Sequence, residues 1–205
     1  AILSSVLIKE IPENQSLIFL SSDHIIGKTN IFNKSIKHYQ KYLTDKNIFI
    51  FGIKPSNPSS EFGYFLSKRK NKISKVTKFI EKPSVKKANN IIKKNGYWNS
   101  GILFANKISI INNFSKYQKR ILNLCIDAVY KSRVHKNIYY LNKKSFNKIN
   151  EISFDYAILE KSKNINGIKL NIPWSDLGSW REISNIFLKN KSQYFKKSNV
   201  FHRPW

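Results

Sequence analysis

The 205 residues contain one cysteine and no methionine. A lone Cys125 excludes an internal disulfide framework and any multi-cysteine metal centre. It stands in Ile121-Leu122-Asn123-Leu124-Cys125-Ile126, and among such apolar neighbours it reads as a buried, inert thiol. No apolar run approaches the length needed to span a bilayer. The N-terminus lacks the charged, apolar, small-residue order of a signal peptide. A cytoplasmic location without a membrane partner is therefore the default reading. The four histidines are isolated, and no pair has metal-ligand spacing. No Ser-His-Asp or Cys-His order stands out, so nucleophilic and thiol chemistry are poorly served.

Acidic residues are scarce as well: 12 against 37 Lys and Arg, for a net charge of +25. Such an excess can serve a polyanion, because clustered cations release counterions from nucleic acid. Here the lysines are spread over the whole chain and greatly outnumber the arginines that make bidentate forks to bases and phosphates. Clusters such as Lys68-Arg69-Lys70 and Lys196-Lys197 are short and lie in polar stretches. The charge reads as compositional bias, and no nucleic-acid partner is expected.

Hydrophobic residues make up 41% and aromatics 14%, which argues for a packed globule and against disorder. One domain with a sizeable core fits this length. Apolar runs at Ser16 to Leu20 and Asn47 to Ile53 read as buried strands. Lys75 to Ile80, Tyr97 to Ala105 and Ile168 to Ile172 read as further strands, with Phe62 to Phe65 either a strand or a bulge. Helical spacing covers Ile31 to Leu43, and helices are expected over Val85 to Asn95, closed by Gly96, and over Lys107 to Arg133. Shorter helices are expected over Ser153 to Lys161 and Ser179 to Asn190. Strands alternating with helices predict an α/β fold with a mostly parallel sheet.

Several strands stop at polar islands. Asp23 follows the first, Glu81-Lys82-Pro83 follows another, and Trp98-Asn99-Ser100-Gly101 opens a third. Trp174-Ser175-Asp176-Leu177-Gly178 precedes an expected helix. Ligands of open α/β sheets bind at such strand ends. Two carboxylates far apart in sequence can hold Mg²⁺ against substrate phosphates. An amide suits vicinal hydroxyls, and a lysine can meet a phosphate. Each island alone is equally an ordinary turn, a surface Glu-Lys pair, a bulge or an acid at a helix start.

In order, the islands resemble the sugar-phosphate nucleotidyltransferases, and within them the mannose-1-phosphate guanylyltransferases. The matching segments are Ser21-Ser22-Asp23-His24, Phe51-Gly52-Ile53, Glu61-Phe62-Gly63-Tyr64 and Phe79-Ile80-Glu81-Lys82-Pro83. They continue with Trp98-Asn99-Ser100-Gly101, Ser153-Phe154-Asp155-Tyr156-Ala157 and Trp174 to Trp180. The resemblance implies a Rossmann-like nucleotidyltransferase fold and synthesis of GDP-mannose and pyrophosphate from GTP and mannose 1-phosphate. It implies Asp23 and Asp176 as Mg²⁺ ligands and, with Lys82, as catalytic residues. Glu81, Asn99, Gly63 and Lys82 would bind the sugar phosphate. The alternatives are a non-catalytic sugar-phosphate-binding remnant and a nucleotidyltransferase for another hexose 1-phosphate. Oligomeric state is left open, a homo-oligomer included.

The chain departs from the family pattern in three places. Ser21-Ser22 replaces Pro-Ala, and Glu61 stands where a glycine is usual. The glycine-rich, Arg-containing loop that cradles the nucleotide phosphates is not among these residues. It is expected upstream of Ala1, so the chain reads as an N-terminally truncated fragment. The expected organisation is a nucleotidyltransferase domain over residues 1–188. A linker would follow over residues 189–205, where His202-Arg203-Pro204-Trp205 resembles the start of a cupin isomerase domain.

Overall fold

Among the apolar runs, Ile48–Ile53 is one whose six residues are all buried, and the fold is organised around it. The computed structural model describes residues 2–8, 10–68, 73–136, 138–178, 183 and 184. In chain order the elements are α1 (Ile2–Val6), β1 (Ser16–Phe19), β2 (Ile25–Ile26), α2 (Thr29–Gln40), β3 (Ile48–Ile53), β4 (Tyr64–Ser67) and β5 (Ile73–Ile80). Then come α3 (Val85–Lys93), β6 (Tyr97–Asn106), α4 (Lys107–Tyr117), α5 (Lys119–Tyr130), β7 (Arg133–His135), β8 (Ile138–Tyr140) and α6 (Lys143–Phe146). A π-helical turn (Asp155–Leu159), β9 (Ile165–Leu170) and β10 (Trp174–Ser175) complete the described chain.

Six strands form one sheet in the order β1-β6-β3-β9-β5-β4. Alternate residues of β3 face opposite layers, as the period of two requires. Ile48 and Ile50 join a core with Leu3, Ile110, Phe114 and Leu122 from α1, α4 and α5. Phe49, Phe51 and Ile53 join a second core with Phe32, Tyr39, Ala88 and Ile91 from α2 and α3. The α/β expectation therefore stands as a sheet with helices on both faces.

The parallel character of the sheet needs correction, because it is mixed. Among the six pairings described within this sheet, β3 and β9 pair in parallel and the other five pairings are antiparallel. Parallel pairing was inferred from strands that alternate with helices along the chain. Several neighbours here, such as β1 with β6 and β5 with β9, are not consecutive, so the local connection does not set their direction.

β4 also bonds to the start of β6, through Tyr64 opposite Trp98 and Phe65 opposite Tyr97. The pairings β3–β6–β4–β5–β9–β3 thus close on themselves. Phe65 is 1% exposed, and its ring lies against the bare backbone of Gly52 on β3 and Gly167 on β9. It stacks on Tyr97 with centroids 5.9 Å apart. A Cβ on either glycine would run into that ring.

Other elements refine the sequence reading. The strand expected to be buried at Ser16 is β1, with one described neighbour and Ile18 exposed. The helix expected over Lys107 to Arg133 breaks at Gln118, whose φ of −147° and ψ of 47° are not helical, and Arg133 opens a hairpin. After α3 the left-handed position falls on Asn95 (φ 56°) rather than on Gly96. Cys125 is buried, as expected. The expected helix 179–190 lies outside the described residues except for Ile183 and Ser184, and residues 189–205 lie wholly outside them.

Candidate functional site

Strand direction brings the polar islands to one edge. The end of β5 pairs with the start of β4, Ile80 opposite Tyr64, so Gly63 and Glu81 adjoin. The start of β6 pairs with the start of β4, which adds Asn99. The Asn99 backbone N–H donates to the Gly63 carbonyl at 2.7 Å. Gly63 is buried, and a Cβ there would collide with Glu81 Oε2, so the absent side chain makes room for that carboxyl.

Two residues not singled out in the sequence complete this group. Asn99 Nδ2 donates to Asp155 Oδ1 at 2.8 Å, and the Glu81 backbone N–H donates to Glu160 Oε1 at 3.0 Å. Lys82 takes a left-handed φ of 43°, a conformation that costs a non-glycine residue, directly before the buried Pro83. Burial, reinforced by the neighbouring Asp155 and Glu160 carboxylates, lifts the Glu81 carboxyl to about 7, against the lowering effect of Lys82. Burial likewise raises Asp155, opposed by hydrogen bonds including that from Asn99.

A proton is therefore held more tightly by folded than by unfolded Glu81. The stability this confers is present in full below the ordinary carboxyl value of 4.5 and is lost as pH rises through about 7. Glu81→Gln is expected to be more stable than the parent by about 1 kcal/mol near pH 8, after discounting for solvent screening. The difference should vanish at about pH 4. Urea midpoints at both pH values test this, and a variant that is less stable at both would show a well-satisfied carboxylate instead.

The remaining acids reach the same edge by a different route. β2 and β10 form a two-residue antiparallel ribbon with Ile26 opposite Trp174 and Ile25 opposite Ser175. The pairing stops at Ser175, one residue short of Asp176, and Asp23 lies two residues before β2, so the two acids flank the ribbon. The Asp176 carboxylate accepts the Gly178 N–H at 3.2 Å across a turn in which Leu177 is left-handed (φ 53°). Asp23 is exposed and lies 3.9 Å from His24 Nε2. The His24 ring meets Trp174 edge-on at 5.3 Å, and Phe62 bridges Trp174 and Trp98 at 5.4 and 4.8 Å. This aromatic run ties the ribbon to the Gly63 and Asn99 segment. Among the described residues no group of three or more His, Cys, Asp or Glu could hold a metal. Asp23 and Asp176 are of the donor type that Mg²⁺ takes, one or two carboxylates with phosphate oxygens and water filling the rest of its shell.

A cleft of about 240 Å³ touches this edge, lined in part by Ser21, Asn99, Gly101 and Asp155. A larger cavity, about 540 Å³ and mainly apolar, lies among α1, α4, α5 and the π-turn, where Phe114, Cys125 and Phe146 line it. The small cleft holds the Asn99 and Asp155 pair, and Gly63 and Glu81 adjoin that pair, which makes this edge the candidate site despite the cleft's size.

Residues 3–193 match the nucleotidyl transferase family over nearly the whole chain. The chain belongs to that family. As a nucleotidyl transferase it is 31% identical over 194 residues to a mannose-1-phosphate guanylyltransferase of Escherichia coli, covering 88% of this chain and 40% of that protein. It is 30% identical over 206 residues to a mannose-1-phosphate guanylyltransferase of Sinorhizobium fredii, covering 98% and 40%. A crystal structure from Helicobacter pylori described as mannose-6-phosphate isomerase superimposes with a TM-score of 0.77 at 30% identity, over 85% of this chain and 69% of that one. One from Thermus thermophilus, described as mannose-1-phosphate geranyltransferase, gives 0.76 at 21% identity, over 90% and 52%, and supports the fold. The chain spans about 40% of the length of these curated relatives.

In this nucleotidyl transferase no helix among the described residues is long and apolar enough to cross a membrane. Asp155 lies inside the segment Ser153 to Ala157 that matched the family pattern, so its neighbourhood was legible while its role was not. Glu160 carries no sequence cue beyond its distance of five residues from Asp155. The departure at Glu61 is exposed, with its own N–H bonded to Ser59 Oγ at 3.1 Å.

Proposed function

We propose that the chain serves a mannose-1-phosphate guanylyltransferase, making GDP-mannose and pyrophosphate from GTP and mannose 1-phosphate, and that its own part is to bind the sugar phosphate. The observation that carries this reading is the convergence of Gly63, Glu81 and Asn99 at one sheet edge. Glu81 and Asn99 offer hydrogen bonds to sugar hydroxyls, and Gly63 lets the ring approach the backbone. The Lys82 ammonium meets the sugar phosphate. An oxygen of that phosphate attacks the α-phosphorus of GTP, a new P–O bond forms, and the bond to pyrophosphate breaks. The protein's share is to align the two groups. Asp23 and Asp176 would hold Mg²⁺, which when bound supplies charge neutralisation at the phosphates. A cytoplasmic location belongs to the same reading, since GTP and sugar phosphates are found there.

Calorimetric titration of the chain in Mg²⁺ tests the reading. Mannose 1-phosphate should bind, glucose 1-phosphate should bind more weakly, and free mannose should not register. Pyrophosphate release with GTP and mannose 1-phosphate follows the transfer itself. If mannose 1-phosphate does not bind, or binds no better than free mannose, the sugar-phosphate site is wrong.

A further inference from the structure

Asp155 and Glu160 are five residues apart. In an α-helix, at 3.6 residues per turn, they would point about 140° away from each other around the axis. Here the Glu160 N–H donates to the Asp155 carbonyl at 3.0 Å, the i→i+5 bond of a π-turn. That wider turn brings residues five apart onto one face. Both side chains consequently meet the same strand-end group, Asp155 at the Asn99 amide and Glu160 at the Glu81 backbone. Single π-turns of this kind are rare and often lie at functional sites.

We propose that the π-turn Asp155–Leu159 is the device that sets the sugar-binding groups, with Asp155 and Glu160 as positioning residues acting through Asn99 and through the Glu81-Lys82 turn. This rests on the sugar-phosphate reading above. Asp155 takes one donor of the Asn99 amide, which fixes the amide's orientation and leaves Oδ1 on the other side, 3.4 Å from the Gly101 N–H. Glu160 binds the N–H of Glu81, the residue immediately before the left-handed Lys82, and so pins a turn that is strained on its own. Ala157, Ile158 and Leu159 are buried beneath, so the packing that holds the π-turn is independent of the two acids. The burial of the acid group agrees with the raised Glu81 and Asp155 carboxyls.

The test uses mannose 1-phosphate binding by calorimetry and the Asn99 side-chain amide by NMR without ligand. Asp155→Ala and Glu160→Ala should each weaken binding about 10-fold, the scale of one lost hydrogen bond. Asp155→Asn and Glu160→Gln keep an acceptor oxygen and should stay within about 3-fold of the parent. Asp155→Ala should add nothing in an Asn99→Ala background, because Asp155 acts through that amide. Without ligand, the Asn99 amide resonances should shift in Asp155→Ala and hold in Asp155→Asn. Losses that add in the double variant would make Asp155 a direct ligand and overturn the proposal. So would alanine variants that bind like the parent, or an Asn99 amide indifferent to Asp155→Ala. If the parent chain itself binds no mannose 1-phosphate, the functional reading fails, and the ligand-free amide signal still decides whether Asp155 sets Asn99.

Discussion

Asp176→Asn is expected to weaken the Mg²⁺ dependence of mannose 1-phosphate binding by on the order of 100-fold, with the thermal midpoint held within about 3 °C. The substitution keeps the size of the side chain and an oxygen able to accept the Gly178 N–H, so the turn after β10 survives. What disappears is the charge. On the proposed reading, Asp23 and Asp176, which flank the β2–β10 ribbon, share one cation. Loss of one of two carboxylates should raise the Mg²⁺ needed for half-maximal effect far more than it alters folding. Titration of Mg²⁺ against sugar-phosphate binding, beside a melting curve on the same preparation, separates the two contributions. An unchanged Mg²⁺ midpoint would reduce Asp176 to a turn former and remove the two-carboxylate site.

Phe65→Ala should cost about 3–5 kcal/mol of stability, the usual price of truncating a fully buried aromatic. The more telling result is its coupling to Gly167. Gly167→Ala alone should destabilise by about 1–3 kcal/mol, because the new methyl meets the Phe65 ring in a packed interior. In the Phe65→Ala background the same methyl enters space the ring has vacated, and its cost should fall to near zero or become a gain. Chemical denaturation of the four proteins gives the interaction energy directly. Additive losses would show that the ring relaxes away from Gly167 and that the close approach is not a constraint.

The parts of this molecule written in contiguous residues were legible. The six-residue run of β3 declared itself by hydrophobicity alone, and Glu81 and Asn99 were found because each stands beside a strand that stops or starts at polar residues. The β2–β10 ribbon was invisible because two residues are too few to show a period, although both of its flanking acids had been picked out. Asp155 and Glu160 escaped for another reason. A spacing of five belongs to neither the helical nor the strand pattern, and it becomes meaningful only in a π-turn. The role of Phe65 depended on two glycines from remote strands, and nothing local to Phe65 points at either. Strand direction failed similarly: antiparallel pairs such as β1 with β6 and β5 with β9 join elements that are distant in the chain.

The closed circuit of strands also imposes an order on biosynthesis. β9 bonds to both β3 and β5, and it emerges from the ribosome long after them. Until it arrives, one side of β3 has no partner, and the Phe65 ring lacks the Gly167 backbone against which it rests. The nascent chain must therefore carry an unpaired, wholly apolar strand edge while residues 54 to 164 are made, a form prone to pair with other chains. Long-range closure of this kind also makes for slow folding. Translation rate and holdase chaperones should consequently govern how much of this protein reaches its native state, more than the equilibrium strength of any single contact in the finished fold.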